Sequence, residues 1–157
     1  MNAQRVRATL DERHIRYRVD AHLRAETALE VARTEGRSGW EVAKPVFVWA
    51  GGQLCMLVVP AALDVDLVAA ADALGVPPLR LADEHEFAGC FPDCETGAEP
   101  PFGALYDLPT FVDGALLQGP TITFAIGNHE ETATIASGDY LRVSPANRID
   151  LGLAVAG

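Results

Sequence analysis

The sequence predicts an α/β fold organised around one β-hairpin that is covered on both faces. Residues 42–50 and 53–60 are apolar, β-rich runs joined by Gly51-Gly52, and a tight two-residue turn favours glycine because its central positions take positive φ. With that turn Lys44 faces Val59. The period of two then puts Lys44, Val46, Val48, Cys55, Leu57 and Val59 on one face and Phe47, Trp49, Leu54, Met56 and Val58 on the other. Apolar side chains on both faces call for cover on both sides. Segments of helical period before and after the hairpin can supply it.

In chain order, Val6 and Leu10, four apart, predict a short amphipathic helix over residues 3–12. Ile15, Tyr17 and Val19 alternate with Arg16 and Arg18 and predict a strand over 15–19. Ala28, Leu29, Val31 and Ala32 form the inner face of a helix over 25–35 that stops at Gly36. After the hairpin, Asp64 or Asp66 caps a helix through Leu67, Val68, Ala71 and Leu74 that ends at Gly75. Pro77-Pro78 breaks the chain, 79–82 reads as a short strand, and Asp83 starts a small helix carrying Glu84, His85, Glu86 and Phe87. Residues 89–103 have no period; a loop that long in a compact domain is usually functional or mobile. Strands follow at 110–112, 121–126 and 132–136, with a turn at Asp113-Gly114, a last helix near 138–142 and a loose tail. No repeat or linker divides the chain, so residues 1–157 are expected to form one domain.

Composition narrows the function classes. With 49% hydrophobic residues and few aromatics, the chain is globular rather than disordered. No cationic segment leads into a long apolar stretch and no run approaches a membrane span, so a soluble cytoplasmic protein without a membrane partner is expected. Cys55, Cys90 and Cys94 make an odd count and are expected as reduced thiols. His85, Cys90 and Cys94 lack a fourth ligand and match no zinc spacing, so no metal is expected there.

The net charge of −10 argues against DNA and general nucleic-acid binding, yet it is unevenly placed. Eight of the twelve basic residues precede Trp40, leaving residues 1–41 at +1 and the remainder at −11. A basic face of that kind either steers one end of a polyanion or is a salt-bridged helix surface, and pattern alone favours the second. Lys44, the only lysine, also has two readings. Either its ammonium meets an anion or strong acceptor, such as a bound substrate, against an apolar wall, or it snorkels to water from a strand lip marked by Pro45.

A family resemblance rests on several quoted motifs. They are His22-Leu-Arg-Ala-Glu-Thr-Ala with Glu30-Val-Ala behind it, Lys44 opening a strand, Leu57-Val-Val-Pro with Val65-Asp-Leu, Gly97-Ala-Glu-Pro-Pro-Phe-Gly103, and Gly127-Asn-His129 after a strand. Over about residues 14–142 the chain resembles the YbaK/EbsC family of aminoacyl-tRNA deacylases, also the editing domain inserted in bacterial-type prolyl-tRNA synthetases. The resemblance implies a mixed, curved or barrel-like sheet surrounded by helices. It implies hydrolysis of the ester between a wrong amino acid and the 3′-terminal ribose of a tRNA, without a cofactor, possible partners being the aminoacyl-tRNA 3′ end and a synthetase.

The resemblance also assigns residues. Lys44 would hold the terminal adenosine's phosphate or ribose oxygens, and Gly103 would let a backbone N–H approach the oxyanion, a contribution of ~3–4 kcal/mol. His129, with Asn128, would position water or a ribose hydroxyl. Thr27 borders the pocket or simply belongs to a helix's first turn; Phe102 walls the pocket or plugs the core. Gly103 as a plain turn glycine and His129 as a surface histidine remain the alternatives. The expected cleft therefore contains Thr27, Lys44, Phe102, Gly103 and His129. No serine or cysteine lies in a nucleophile motif, so direct attack by water, assisted by the ribose 2′-hydroxyl, is favoured over a covalent intermediate. Pro45, where relatives carry a small hydroxyl residue, and Arg24-Ala25, in place of a proline-containing run, are departures. Competing expectations are a non-catalytic module that binds an aminoacyl-adenosine-like ligand, a nucleotide or a synthetase, and a broader esterase.

Overall fold

A computed structural model describes residues 1–151 and the backbone of residues 154 and 155. The first half contains α1 (Gln4–Glu12), β1 (Arg18–Ala21), α2 (Ala28–Glu35), β2 (Ala43–Ala50), β3 (Gln53–Pro60), β4 (Leu63–Asp64) and α3 (Leu67–Leu74). The second contains β5 (Leu79–Leu81), α4 (Glu84–Phe87), β6 (Thr110–Asp113), β7 (Thr121–Ala125), β8 (Glu131–Ala136), α5 (Tyr140–Val143), β9 (Asn147–Ile149) and β10 (Ala154–Val155). A five-stranded mixed sheet runs β5-β2-β3-β6-β9, and an antiparallel three-stranded sheet runs β1-β8-β7. One bridge, Val42 to Thr123, joins them, and β4 pairs with β10. The fold is thus mixed α/β with helices around its sheets, and the sheets are not closed into a barrel.

The hairpin of β2 and β3 holds the architecture together. Lys44 pairs with Val59 and Ala50 with Gln53, and Gly51 takes φ 62° in the turn. Phe47, Leu54, Met56 and Val58 enter a large core with Phe91, Phe102, Phe124 and Tyr140. On the other face Val48, Cys55, Leu57 and Val59 enter a smaller core against Ala70 and Ala71 of α3. Asp66, rather than Asp64, caps α3, accepting from the N–H groups of Val68 and Ala69 at 3.0 and 3.1 Å.

Three expectations needed correction. The first strand begins at Arg18, because α1 closes through His14 at φ 56° and the Ile15 N–H bonds Leu10 O; Ile15 is buried but outside the ladder. The second helix begins at Ala28, because Thr27 is extended and accepts from the Glu30 N–H at 3.1 Å. Part of the expected loose tail is ordered as β9, parallel to β6; residues 152, 153, 156 and 157 of that tail lie outside the described residues. No helix among the described residues is long and apolar enough to cross a membrane.

Gly127 fixes how the 126–130 turn meets the N-terminus. It has φ +95°, and an added Cβ would lie 2.3 Å from Ala3 N. Gly127→Ala is expected to cost about 2–4 kcal/mol through strain and overpacking, lowering Tm by roughly 4–16 °C. An unchanged melting curve would contradict this close approach.

Candidate functional site

One cavity of about 210 Å³ is walled by Ala25–Ala28 before and at the start of α2, the first residues of β2, Gly97 and Glu99, and the turn after β7. Val31, Val42, Ala43, Phe47 and Phe87 give it a largely apolar lining, and the rings of Phe47 and Phe87 stack with centroids 4.0 Å apart. Thr27, Lys44, Asn128 and His129, all singled out in the sequence, line it together.

Each of these side chains is held differently. Thr27 uses its hydroxyl oxygen as the α2 cap, which leaves its O–H free to donate. Asn128 donates to Met1 O at 3.0 Å and to Glu131 Oε1 at 2.9 Å and accepts from the Glu130 N–H at 2.9 Å, so its amide mainly fixes the turn. The Lys44 ammonium donates to Leu63 O and lies 3.7 Å from Asp64 Oδ1. Burial pushes the Lys44 pKa below the ordinary lysine value, against the pull of Asp64.

His129 is 5% exposed and sits where three segments meet. Its Nδ1 is 3.2 Å from Ala25 O and its Nε2 is 3.0 Å from Thr96 O. Both ring nitrogens thus face backbone carbonyl oxygens, and an N–H on either one can donate to the carbonyl it faces. The carboxylates of Glu26 and Glu95 lie 3.7 and 3.9 Å from Nε2. Backbone bonds from Ala25 N to His129 O, from Glu95 N to Gly127 O and from Gly127 N to Ala98 O tie the same walls.

Phe102 and Gly103 do not line the cavity. Phe102 is fully buried, its ring 5.0 Å from Phe124 and 5.1 Å from Tyr140, so it plugs the core. An added Cβ on Gly103 would lie 2.5 Å from Thr110 Oγ1 and 3.1 Å from Met56 Cβ, so glycine here lets the 103–106 turn pack on β3 and β6. Residue 103 is therefore not among those that line the cavity with Lys44.

Glu99 was missed. Only 3% exposed, it lines the cavity, and both its oxygens accept from the Gly97 N–H, at 3.0 and 3.1 Å. Burial pushes its pKa above the usual carboxylate value, against those bonds and the influence of His129. An acid set between Ala98 and Pro100, with Pro101 and Phe102 after it, was the available signal.

Other candidates fall away from the cavity. Burial and neighbouring Asp93 push the Cys94 thiol up, and burial does the same to Cys55, so neither is poised as a thiolate. Among the described residues no group of three or more His, Cys, Asp or Glu is placed to hold a metal ion. Arg18, Arg24 and Arg37 pair with Asp20, Glu26 and Glu35, while Arg7 approaches Glu131. Arg5 and Arg13 donate to the carbonyls of Leu105 and Arg142. Six of the eight N-terminal arginines are thus engaged by the protein's own acids and carbonyls.

The aminoacyl-tRNA editing domain family matches residues 22–143. Comparison with curated proteins gave no match. Among solved structures, a protein described as a candidate trans-editing enzyme for prolyl-tRNA synthetase is 26% identical, with a TM-score of 0.77 over 99% of this chain and 97% of that one. A scaffold protein used for presenting grafted linear epitopes is 26% identical, with a TM-score of 0.76 over 99% and 97%. A hypothetical protein, 20% identical, shares the fold with a TM-score of 0.80 over 93% and 97%. With residues 22–143 matched, most of its length, the chain belongs to the aminoacyl-tRNA editing domain family.

Proposed function

We propose that this domain, residues 1–157, hydrolyses in trans the ester joining a wrong amino acid to the terminal ribose of a tRNA. The observation that carries this reading is the small apolar cavity at which Thr27, Lys44, Asn128 and His129 arrive from separate segments. A synthetase gains only about 1–3 kcal/mol per methylene, so a smaller amino acid that slips through must be removed at a second site.

The side chains support direct attack by water on the ester carbonyl. The carbon–oxygen bond to the ribose breaks, the ribose oxygen takes a proton, and the free amino acid leaves. The buried thiols of Cys55 and Cys94 offer no nucleophile and both His129 nitrogens face backbone carbonyls, so we assign orientation of the water to the vicinal ribose hydroxyl. Lys44 uses one of its three N–H groups on Leu63 O. Its pairing with Asp64, which is 70% exposed, is worth only about 0–1 kcal/mol, so a phosphate or ribose oxygen of the terminal nucleotide can replace it. Gly103 has no part in this scheme.

The charge supports delivery of the tRNA by a separate synthetase. The chain is acidic, and most of its N-terminal arginines are occupied by its own acids and carbonyls, which leaves little free positive surface for a polyanion.

The competing reading is a module that binds an aminoacyl-adenosine-like ligand without turnover. It draws on the absence of residue 103 from the cavity lining. Incubation with alanyl-, cysteinyl-, seryl-, threonyl- and prolyl-tRNA, beside simple amino-acid methyl esters, separates the possibilities. Release from a charged tRNA but not from the methyl esters supports the editing hydrolase, release from both supports a broader esterase, and binding without release supports the module.

A further inference from the structure

Glu99 has no task in the hydrolysis set out above, yet it is a costly group to bury. Only 3% exposed, it shares the Gly97 N–H between its two oxygens, with its own backbone N–H beside it, although a carboxylate can accept about four hydrogen bonds. No lysine or arginine forms an ion pair with it among the described residues. The Lys44 ammonium is directed at Leu63 O and Asp64, Arg24 pairs with Glu26 and Glu95, and the His129 nitrogens face Ala25 O and Thr96 O. A buried carboxyl whose only basic neighbour is the His129 ring is costly to ionise, and a charged or donating group arriving in the cavity relieves that cost. Burial holds its pKa above the usual value, as expected of a carboxyl awaiting a partner.

The surroundings limit what that partner is. Val31, Val42, Phe47 and Phe87 present hydrocarbon to the same cavity. A ligand matched to it needs a compact apolar part and one cationic or strongly donating group close by, which describes an α-amino acid whose carboxyl is tied up as an ester. We infer that Glu99 receives the α-ammonium of the aminoacyl group and makes the cavity selective for esters of free amino acids over N-acylated ones. The inference deepens the hydrolase reading and rests on it for the ester. The ammonium–carboxylate contact orients the acyl carbon, leaves the side chain against the apolar wall, and rejects a neutral amide nitrogen carrying an acyl group.

The test uses two stable probes, 3′-(L-alanylamido)-3′-deoxyadenosine and its N-acetyl derivative, titrated calorimetrically into the full chain. The intact protein is expected to bind the free amine about 10- to 100-fold more tightly, the range of a buried charge-assisted hydrogen bond. In Glu99→Gln, which retains an acceptor for the Gly97 N–H, that preference should fall to about threefold or less, whereas Glu99→Asp should keep part of it. Melting curves of both variants confirm folding. Equal affinity of the intact protein for the two probes, no binding of the free amine, or an undiminished preference in Glu99→Gln would each overturn the assignment. Because binding is read without turnover, the two ideas fail separately. A protein that prefers the free amine but hydrolyses no charged tRNA sinks the hydrolase reading alone; one that hydrolyses charged tRNA but ignores the amine sinks only the role of Glu99.

Discussion

Replacing Lys44 with methionine is expected to lower kcat/KM for aminoacyl-tRNA deacylation by about 10²- to 10³-fold, a loss of roughly 3–4 kcal/mol in the transition state. Methionine keeps most of the stem and removes only the charge and its donors. The melting temperature should not fall. Folding depresses the Lys44 pKa, so the charged lysine disfavours the folded state at neutral pH. That penalty fades as pH rises from the depressed value towards the ordinary 10.5, and methionine removes it at every pH. Lys44→Arg is expected to restore only part of the activity, since a planar fork cannot reproduce a compact ammonium beside Leu63 O. Steady-state kinetics and thermal melts on the same preparations check both parts. A large loss of Tm in Lys44→Met would instead make this lysine a structural element.

Removing the His129 ring should unsettle both the fold and the reaction. His129→Ala deletes the bonds to Ala25 O and Thr96 O and leaves buried Ala25 without a partner for its carbonyl. A loss of about 2–4 kcal/mol is expected, roughly 4–16 °C in Tm, together with a steep fall in deacylation because the cavity walls are no longer tied. A histidine acting as general base would behave differently, with activity lost and stability kept. Thermal melting of His129→Ala therefore discriminates a clamp from a base.

Stability and function should part company at Glu99. Its carboxyl pKa is raised on folding, so ionised Glu99 destabilises the fold above its unfolded pKa, and the penalty is fully present above its folded value. Glu99→Gln is accordingly expected to melt at the same or a slightly higher temperature at neutral pH while losing amine selectivity. That combination is typical of a group retained for a ligand rather than for the fold.

The local parts of this structure could be read from the sequence, and the non-local parts could not. The hairpin register follows from a glycine turn and two apolar alternations, all within residues 42–60. The Asp66 cap and the Gly36 and Gly75 stops are equally local. The ladder of β1 is different, since its partner Glu131–Thr134 of β8 lies more than a hundred residues away. β9 likewise needs β6 as a template.

At the cavity, Thr27, Lys44, Asn128 and His129 were marked by motif, but the motif could not say where the ammonium points. That is decided by Leu63 O and Asp64, on the chain that leaves the hairpin. Phe102 and Gly103 belong to the same motif as Glu99, yet alternate packing sends Phe102 into the core and Glu99 to the cavity.

Blocking the cavity offers a decisive comparison. Ala28 lines it from the first position of α2, where a large side chain can be carried without breaking the helix. Amino-acid release should be followed on the charged tRNA that the intact protein deacylates fastest, beside Ala28→Trp at matched concentration and with matched melting curves. Rapid release by the intact protein and release near the uncatalysed rate by Ala28→Trp is the predicted result; equal release by the two would place the chemistry elsewhere on the molecule.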